Sequence, residues 1–239
     1  MTLESQQVGE DKPGHRRLSR QLVVAAAIAH LDQHGNPRFT MRDIGNTLGV
    51  EAMSLYRYVN GREDLLDAVV TTLLDGLPDR LDDAGTQTWQ GYLRTLAQAI
   101  RQIAVDHPHA FPLLATRDPA APWLRPPLRS PEVVQDFLET LSGFGFSDEQ
   151  VVQTYRTFAS FLLGSLLLEA AQRRTETSPT SEEPCDQGQA HTAQRVEADI
   201  NENPTIRHFR PLLSQDRSAE DFEDTMAMLL DRLSPSASR

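Results

Sequence analysis

The chain has 239 residues, with 23 basic and 34 acidic side chains and a formal charge of -11, which on average argues against a nucleic-acid-binding protein. The charge is uneven, because residues 1–62 hold 8 basic and 6 acidic side chains whereas the remainder holds 15 and 28. Such an asymmetry indicates two parts with different partners, and the basic part suits phosphate.

The composition excludes several other classes of protein. With 39% hydrophobic residues, the chain is predicted to be globular, with one or two domains. Its longest strongly apolar stretches, 22–29 and 161–168, have about eight residues each, less than half of the roughly 20 that span a bilayer. Residues 1–11 lack the pattern of a secretory signal, so we expect a cytoplasmic protein without a membrane partner. The single cysteine, Cys185, excludes an intrachain disulfide.

The N-terminal part is predicted to start with a flexible polar tail, residues 1–17, and an apolar helix, residues 18–34. Thr40 with Asp43 matches a capping box that opens a second, short helix, and a third short helix covers 51–59. Two short helices joined by a tight turn, with a longer helix on either side, are typical of a helix-turn-helix.

The rest of the chain is also predicted to be helical. Asn60 with Glu63 indicates a cap for a long helix whose apolar pairs continue to Leu77. Between 108 and 131, seven of the 15 prolines restrict the chain to short helical turns, and the polar composition of 173–190 favours a mobile loop. Alternating β-branched runs are missing from the sequence, so the predicted fold is all-α. Further helices are predicted at about 89–107, 130–141, 148–173, 191–201 and 218–233.

The predicted helix-turn-helix carries a specific motif. It reads Phe39-Thr40-Met41-Arg42-Asp43-Ile44-Gly45-Asn46-Thr47-Leu48-Gly49-Val50, then Ser54-Leu55-Tyr56-Arg57-Tyr58-Val59, then Arg62-Glu63-Asp64-Leu65-Leu66. A Thr-opened helix, a Leu-Gly-Val turn, a Leu-Tyr-x-x-Val helix and a Leu-Leu helix start resemble the DNA-binding domain of the tetracycline-repressor (TetR) family.

The resemblance extends less closely to residue 233. It implies a helix-turn-helix DNA-binding domain at 18–64 and a larger ligand-binding and dimerisation domain at 65–239. It also implies a homodimer formed through the helices near 148–173 and 218–233, which binds double-stranded operator DNA as a repressor. A small molecule bound in the larger domain then releases the operator.

Positions that match the motif imply a set of DNA-binding side chains. Arg57 is the best candidate for a guanine contact, because a guanidinium can bond to two acceptors on one base edge. Other interpretations stay open: Thr40 also suits a helix cap, Tyr56 suits packing, and Arg42 and Arg62 suit solvated surface. The full predicted set is Thr40, Met41, Arg42, Ala52, Met53, Ser54, Tyr56, Arg57, Tyr58 and Arg62.

The larger domain departs from the tetracycline binders of this family. The groups that hold the drug and its magnesium fall here on Pro78, Leu96 and Leu114, so neither a magnesium chelate nor a cofactor is expected. The candidate lining residues favour an apolar or aromatic ligand, although each also suits core packing. They are Trp89, Tyr92, Leu96, Ile100, Ile103, Trp123, Phe137, Phe158 and Phe161.

Two other classes of function compete with this one. A metal-dependent enzyme is suggested by Asp106, His107 and His109, and by the i, i+4 pair His30 and His34, but phosphate-binding glycine loops and paired-carboxylate motifs are missing from the sequence. A dimeric sensor that binds a protein partner is the other alternative, because alanine and methionine at positions 52 and 53 are poor base readers. We predict a regulator and not an enzyme.

Overall fold

The structure is a computed structural model that describes residues 18–35, 38–81, 85–117, 121–177 and 203–233. The helices in these ranges are joined by turns and irregular segments, and the one β feature there is an isolated bridge between Arg125 and Leu128. The all-α prediction is therefore confirmed.

The N-terminal head consists of α1 (Arg20–His34), α2 (Met41–Leu48), α3 (Ala52–Leu55) and the first part of α4 (Arg62–Leu74), with α1 packed on both α2 and α4. The capping box at α2 is confirmed, because the Asp43 backbone N–H donates to the Thr40 hydroxyl and the Thr40 backbone N–H donates to the Asp43 carboxylate. These local bonds fix where α2 starts.

A tight turn sets the distance between α2 and α3. Gly49 ends α2 with φ of 67°, a conformation that glycine adopts without strain. A Cβ atom at Gly45 would lie 2.8 Å from the Val50 backbone oxygen, so a side chain at this position would push the turn away from α2. Glycine at these two positions thus allows the close packing of the two short helices.

The start and end of α4 differ from the prediction. The predicted Asn60–Glu63 cap is wrong: α4 begins at Arg62, and the Asn60 backbone N–H donates to Asp64 Oδ2 at 2.7 Å. The α-helix ends at Leu74, before the predicted Leu77, and a 3₁₀ turn follows at Pro78–Arg80. Asp75 is extended and Gly76 has φ of 60°, a left-handed conformation that glycine adopts without strain, so the chain leaves the helix at these two residues.

The larger domain contains α5 (Trp89–Asp106), α6 (Leu113–Thr116), α7 (Pro131–Gly143), α8 (Asp148–Thr177), α9 (Pro204–Leu213) and α10 (Ser218–Arg232). Helix α8 is central, because it packs against α5, α7 and α10. The four-residue α6 agrees with the proline-limited connection predicted for 108–131.

Of the two segments predicted to follow the 148–173 helix, the structure describes only the first residues of the first one. The mobile loop predicted from residue 173 is helical as far as Thr177, because α8 continues to that residue. The remainder of this loop and the whole of the helix predicted at 191–201 lie outside the described residues. Helix α9 was not predicted, and its apolar side chains Phe209, Leu212 and Leu213 are exposed.

Helix α8 is long and apolar enough to span a membrane by length and composition. Its contacts instead make it the central helix of the domain core. Glu169, which is only 3% exposed, accepts two hydrogen bonds from Arg101 of α5, at 2.9 and 2.7 Å, and a third from Arg173. This buried ion pair ties α8 to α5 and requires both partners to remain together.

Candidate nucleic-acid interface and small-molecule cavity

The segment after the tight turn presents a mostly exposed surface. Leu55 and Val59 are buried and anchor the segment in the head. Met53 is 75% exposed and Tyr56 is 48% exposed, and Arg57 is also exposed. The helix itself covers only Ala52–Leu55 and is followed by a turn, so it is shorter than the predicted 51–59. The remaining predicted residues here, half-buried at the edge of this surface, are Ala52, Ser54 and Tyr58.

Two arginines provide positive charge on this surface, where Arg42 and the exposed Glu51 line one hollow with Met53. Arg42 on α2 and Arg57 after α3 are both exposed, and neither forms an ion pair with a described residue. An arginine without a carboxylate partner keeps all of its donors for a ligand, and the planar guanidinium suits phosphate and guanine. The arrangement can therefore bind an anionic backbone and read a base edge.

Three other predicted DNA-binding residues have contacts within the head. The Thr40 hydroxyl belongs to the α2 cap, and hydrogen bonds from the Thr40 backbone N–H and then from its hydroxyl lower the pKa of Asp43. Arg62 donates to the Phe39 carbonyl oxygen at 3.1 Å and lies over the Phe39 ring. The prediction for Met41 is corrected, because its side chain is only 7% exposed and packs in the core instead of facing solvent.

Arg20, which is not one of the predicted DNA-binding residues, positions the exposed segment. Its Nη1 donates to the Tyr58 carbonyl oxygen at 2.8 Å, and its Nη2 donates to Asp64 Oδ1 at 3.1 Å. The hydrogen bond from Arg20 lowers the pKa of Asp64. Since these partners are 38 and 44 residues away along the chain, local patterns contain no signal for them.

Most of the predicted ligand-binding residues form the packed interior of the larger domain. Rings at the centre are close together, with the Phe137 centroid 5.7 Å from Phe158 and 6.2 Å from Tyr92. The Tyr92 hydroxyl donates to Asp136 Oδ2 at 2.7 Å, and burial together with this bond raises its pKa. The residues buried in this interior are Tyr92, Leu96, Ile100, Ile103, Phe137 and Phe158.

The other three predicted ligand-binding residues lie nearer the surface. Trp89 is half-buried against Phe146, and Phe161 is half-buried against Phe222 of α10, with ring centroids 5.4 and 5.2 Å apart. Trp123 is 63% exposed. Of the nine residues, only Trp123 borders the cavity described next, so the lining of a ligand site by the other eight stays a prediction.

A cavity of about 490 Å3 opens between the 122–125 segment, α7 and α8. Its walls are mostly apolar and include Trp123, and the Tyr155 side chain forms part of the inner wall. The Tyr155 hydroxyl accepts a hydrogen bond from the Arg125 backbone N–H at 2.7 Å and donates one to the Leu128 carbonyl oxygen at 3.1 Å. Tyr155 thus holds both ends of the bridged turn 125–128.

Side-chain contacts continue from this turn to the head. Arg129 donates to the carbonyl oxygens of Leu114 and Arg117, at 3.2 and 2.8 Å, and so ties the turn to α6. Arg117 in turn donates to Glu63 Oε2 at 2.8 Å and to Asp67 Oδ1 at 2.6 Å on α4. A continuous set of contacts therefore joins the cavity wall to α4, the helix that follows the exposed segment.

A second contact between the two parts involves histidine. His107, at the end of α5, contacts Asp32 of α1 with 2.7 Å between Nδ1 and Oδ2, and this hydrogen bond raises the pKa of His107. His109 lies against Gly35, and burial lowers its pKa. Within the described ranges, no three His, Cys, Asp or Glu side chains are grouped so that they could hold a metal ion.

The fold and the exposed basic surface define a class, a helix-turn-helix protein with a larger helical domain attached. Family models agree for both parts: residues 23–69 match bacterial regulatory proteins of the tetR family, and residues 81–233 match the tetracyclin repressor-like C-terminal domain. The chain belongs to the TetR family of bacterial regulatory proteins.

Individual relatives agree with this assignment. The class D tetracycline repressor of Escherichia coli is 30% identical over 153 residues, which are 63% of this chain and 66% of the repressor. A possible TetR family transcriptional regulator from Streptomyces coelicolor has the same fold, with a TM-score of 0.68, 24% identity and coverage of 89% of this chain and 97% of that one. ActR of the same organism, solved with actinorhodin, gives a TM-score of 0.63 at 18% identity, over 91% of this chain and 96% of ActR.

The family match tests the predicted class of function. Both family models describe bacterial regulators, which confirms the predicted class, a regulatory protein of the TetR family. The chain matches just under two thirds of the length of the curated repressor.

Proposed function

We propose that this chain is a homodimeric, ligand-responsive repressor that binds operator DNA through the surface formed by α2, α3 and the turn after α3. The observation that carries the proposal is the pair of exposed arginines, Arg42 and Arg57, on either side of a short helix whose buried residues anchor it in the head. Arg57 reads a base edge in the major groove and Arg42 binds phosphate.

The other residues predicted to bind DNA contribute to this proposal in different ways. Met53 and Tyr56, the most exposed apolar side chains of the segment, contact bases or sugar, with Ala52, Ser54 and Tyr58 at the edge. Thr40 contributes as the residue that fixes the start of α2, and Arg62 braces the head through Phe39. Arg20 is a positioning residue.

A homodimer is supported by an exposed face of α8. Thr157, Ser160, Gly164 and Leu168 lie at helical spacing and are all exposed, and Leu168 is 70% exposed. Small side chains allow two helices to approach closely, and on α10 Met228 is 60% exposed. We propose that α8 and α10 pack against their copies in a partner subunit.

Sedimentation tests the dimer with a matched pair of variants. We expect a dimer at micromolar concentration for the wild type and a monomer for Leu168→Asp, because a charge in an apolar interface loses its hydration. Leu213→Asp, on the exposed face of α9, is the control and should remain dimeric. A monomeric wild type, or dissociation by the α9 variant alone, contradicts the proposed interface.

The ligand response is supported by the contacts from the cavity wall through Arg129 and Arg117 to α4. A ligand that moves the 125–128 turn would shift α6 and α4, and hence the spacing of two heads in a dimer that binds a palindrome. The lack of polar groups at Pro78, Leu96 and Leu114 supports a ligand other than a magnesium-tetracycline chelate. ActR, solved with actinorhodin, shows that a related fold accommodates a different kind of ligand.

Binding of the full chain to the DNA upstream of its own coding region tests the function. We expect a protected, roughly palindromic site, with a loss of base preference at one position of each half-site in Arg57→Ala. Arg94→Ala, which changes an exposed arginine on α5, is the control and should bind like the wild type. Specific capture of another protein without DNA binding would favour the competing sensor function instead.

A further inference from the structure

We propose that the cavity between the 122–125 segment, α7 and α8 binds an anionic, largely apolar small molecule, with its acidic group held by Arg125 and Arg156. This inference deepens the ligand response proposed above and rests on it. It names the chemical class of the ligand and the two side chains that select it.

The size and walls of the cavity fit a small aromatic molecule. A volume of about 490 Å3 lies within the range of about 300 to 1,000 Å3 that is usual for small-molecule sites. Val134 and Leu138 of α7 and Tyr155 of α8 form apolar walls, and Trp123 lies at the opening with 63% of its surface exposed. An indole ring in this position can stack on a planar ligand.

The polar groups at the cavity restrict the charge of the ligand. Arg125 and Arg156 are the charged residues among the described lining residues, and both are exposed. Neither guanidinium forms an ion pair with a carboxylate in the part of the chain that the structure describes. Arg156 also lines an adjoining hollow on α8 that Asp148 and Glu149 border, but neither carboxylate forms an ion pair with it.

Other classes of ligand fit this arrangement less well. The Tyr155 hydroxyl already accepts one hydrogen bond and donates another, so it is committed to the 125–128 turn. A sugar or an amide would need several donors and acceptors that these walls do not offer, and a cation would be repelled by two guanidinium groups. A carboxylate or sulfonate on an apolar frame matches both the walls and the charges.

Two fluorescent probes with the same aromatic frame test the proposal on the full chain. Anilinonaphthalene sulfonate carries an anionic group, and phenylnaphthylamine lacks it. We expect the wild type to bind one sulfonate probe per subunit and to bind it more tightly than the uncharged probe. The double variant Arg125→Gln/Arg156→Gln should weaken the sulfonate probe by about tenfold or more and change the uncharged probe by less than about twofold.

Matched variants separate a specific site from general surface binding. Leu138→Trp fills the cavity and should weaken both probes, whereas Arg94→Gln, an exposed arginine beside Trp89 on another surface, should weaken neither. A thermal unfolding temperature equal to that of the wild type shows that each variant is folded. Equal loss of both probes in the double arginine variant, or loss of the sulfonate probe in Arg94→Gln, overturns the proposal.

DNA binding distinguishes this site from the regulatory function. Without a probe, the double arginine variant should bind the operator like the wild type, since both side chains lie in the larger domain. If the wild type fails to bind DNA but distinguishes the two probes as expected, the anion site stands and the repressor function fails. If DNA binding is intact and the probes are not distinguished, the anion site alone is overturned.

Discussion

The head and the larger domain use similar residue types in opposite ways. In the head, Arg42 and Arg57 are exposed and lack ion pairs with described residues, and Met53 extends into solvent. In the larger domain, Arg101 is paired with a buried glutamate, and Phe137 lies in a packed cluster of rings. The arginines of the head keep their donors for a ligand, whereas Arg101 uses its donors in a structural contact.

The largest effect is expected for the double variant Arg42→Ala/Arg57→Ala. Each lost arginine contact typically costs about 1 to 3 kcal/mol, so operator affinity should fall by about a hundredfold or more. Fluorescence anisotropy with a labelled operator measures the loss, and an unchanged thermal unfolding temperature shows that the head is intact. Affinity within twofold of the wild type would mean that the DNA surface lies elsewhere.

Glu169→Leu should show how strongly the larger domain depends on its paired charges. Removal of Glu169 leaves Arg101 uncompensated in a site where it is mostly buried, with a typical cost of about 3 kcal/mol. Urea denaturation measures the free energy of unfolding. The double variant Arg101→Leu/Glu169→Leu should recover part of the loss. If Glu169→Leu lowers the free energy of unfolding by less than about 0.5 kcal/mol, solvent screens the ion pair.

A smaller effect is expected at the contact between α6 and α4. Arg117 is 17% exposed, but Glu63 and Asp67 are 68% and 61% exposed, so solvent weakens the two ion pairs. A double-mutant cycle of Arg117→Ala and Asp67→Ala should give a coupling energy of about 0.5 to 1 kcal/mol. Additive single effects would remove Arg117 from the proposed route between cavity and head.

The smallest effect is the pH dependence of the contact between the two parts. The hydrogen bond to Asp32 raises the pKa of His107, so protonated His107 favours the folded state. This contribution is complete below the unfolded pKa of about 6.5 and is lost as the pH rises through the higher folded pKa. Burial lowers the pKa of His30 and His109, so their contributions have the opposite sign and are lost as the pH falls.

The difference in the free energy of unfolding between the wild type and His107→Gln, measured from pH 5 to 8.5, isolates the contribution of His107. The wild type should be more stable by about 0.5 kcal/mol at the acidic end, and the difference should shrink towards the alkaline end. Asp32→Asn should lose the same dependence on pH. A difference that grows with pH has the wrong sign for this contact and would contradict it.

Local patterns predicted the head better than the larger domain. The Thr40 cap, the Gly49 turn and the alternation of buried Leu55 with exposed Arg57 are encoded by neighbouring residues, so the sequence contains them. Arg20 and Arg117 could not be predicted, because their partners are distant in sequence and become neighbours only in the folded chain. Met41 was misassigned because the motif marks its position but not the direction of its side chain.

The proposed ligand cavity shows why the larger domain was harder to predict. Aromatic residues are suited both to a packed core and to a pocket wall, and the sequence does not distinguish these uses. Six of the nine candidate residues are in the buried interior, whereas the cavity lies beside Trp123. Helix α9 was missed because Pro211 interrupts its pattern. Arg125 and Arg156 at the cavity are not part of a recognisable sequence motif, so they were not predicted as site residues.

The salt dependence of operator binding tests the central claim most directly. If Arg42 and Arg57 replace counterions on phosphate or at the groove, the logarithm of the association constant should fall steeply with the logarithm of the salt concentration. The slope of Arg42→Ala/Arg57→Ala should be shallower by about one to two units than that of the wild type. A wild-type slope near zero, or equal slopes for the two proteins, would contradict the assignment of DNA binding to this surface.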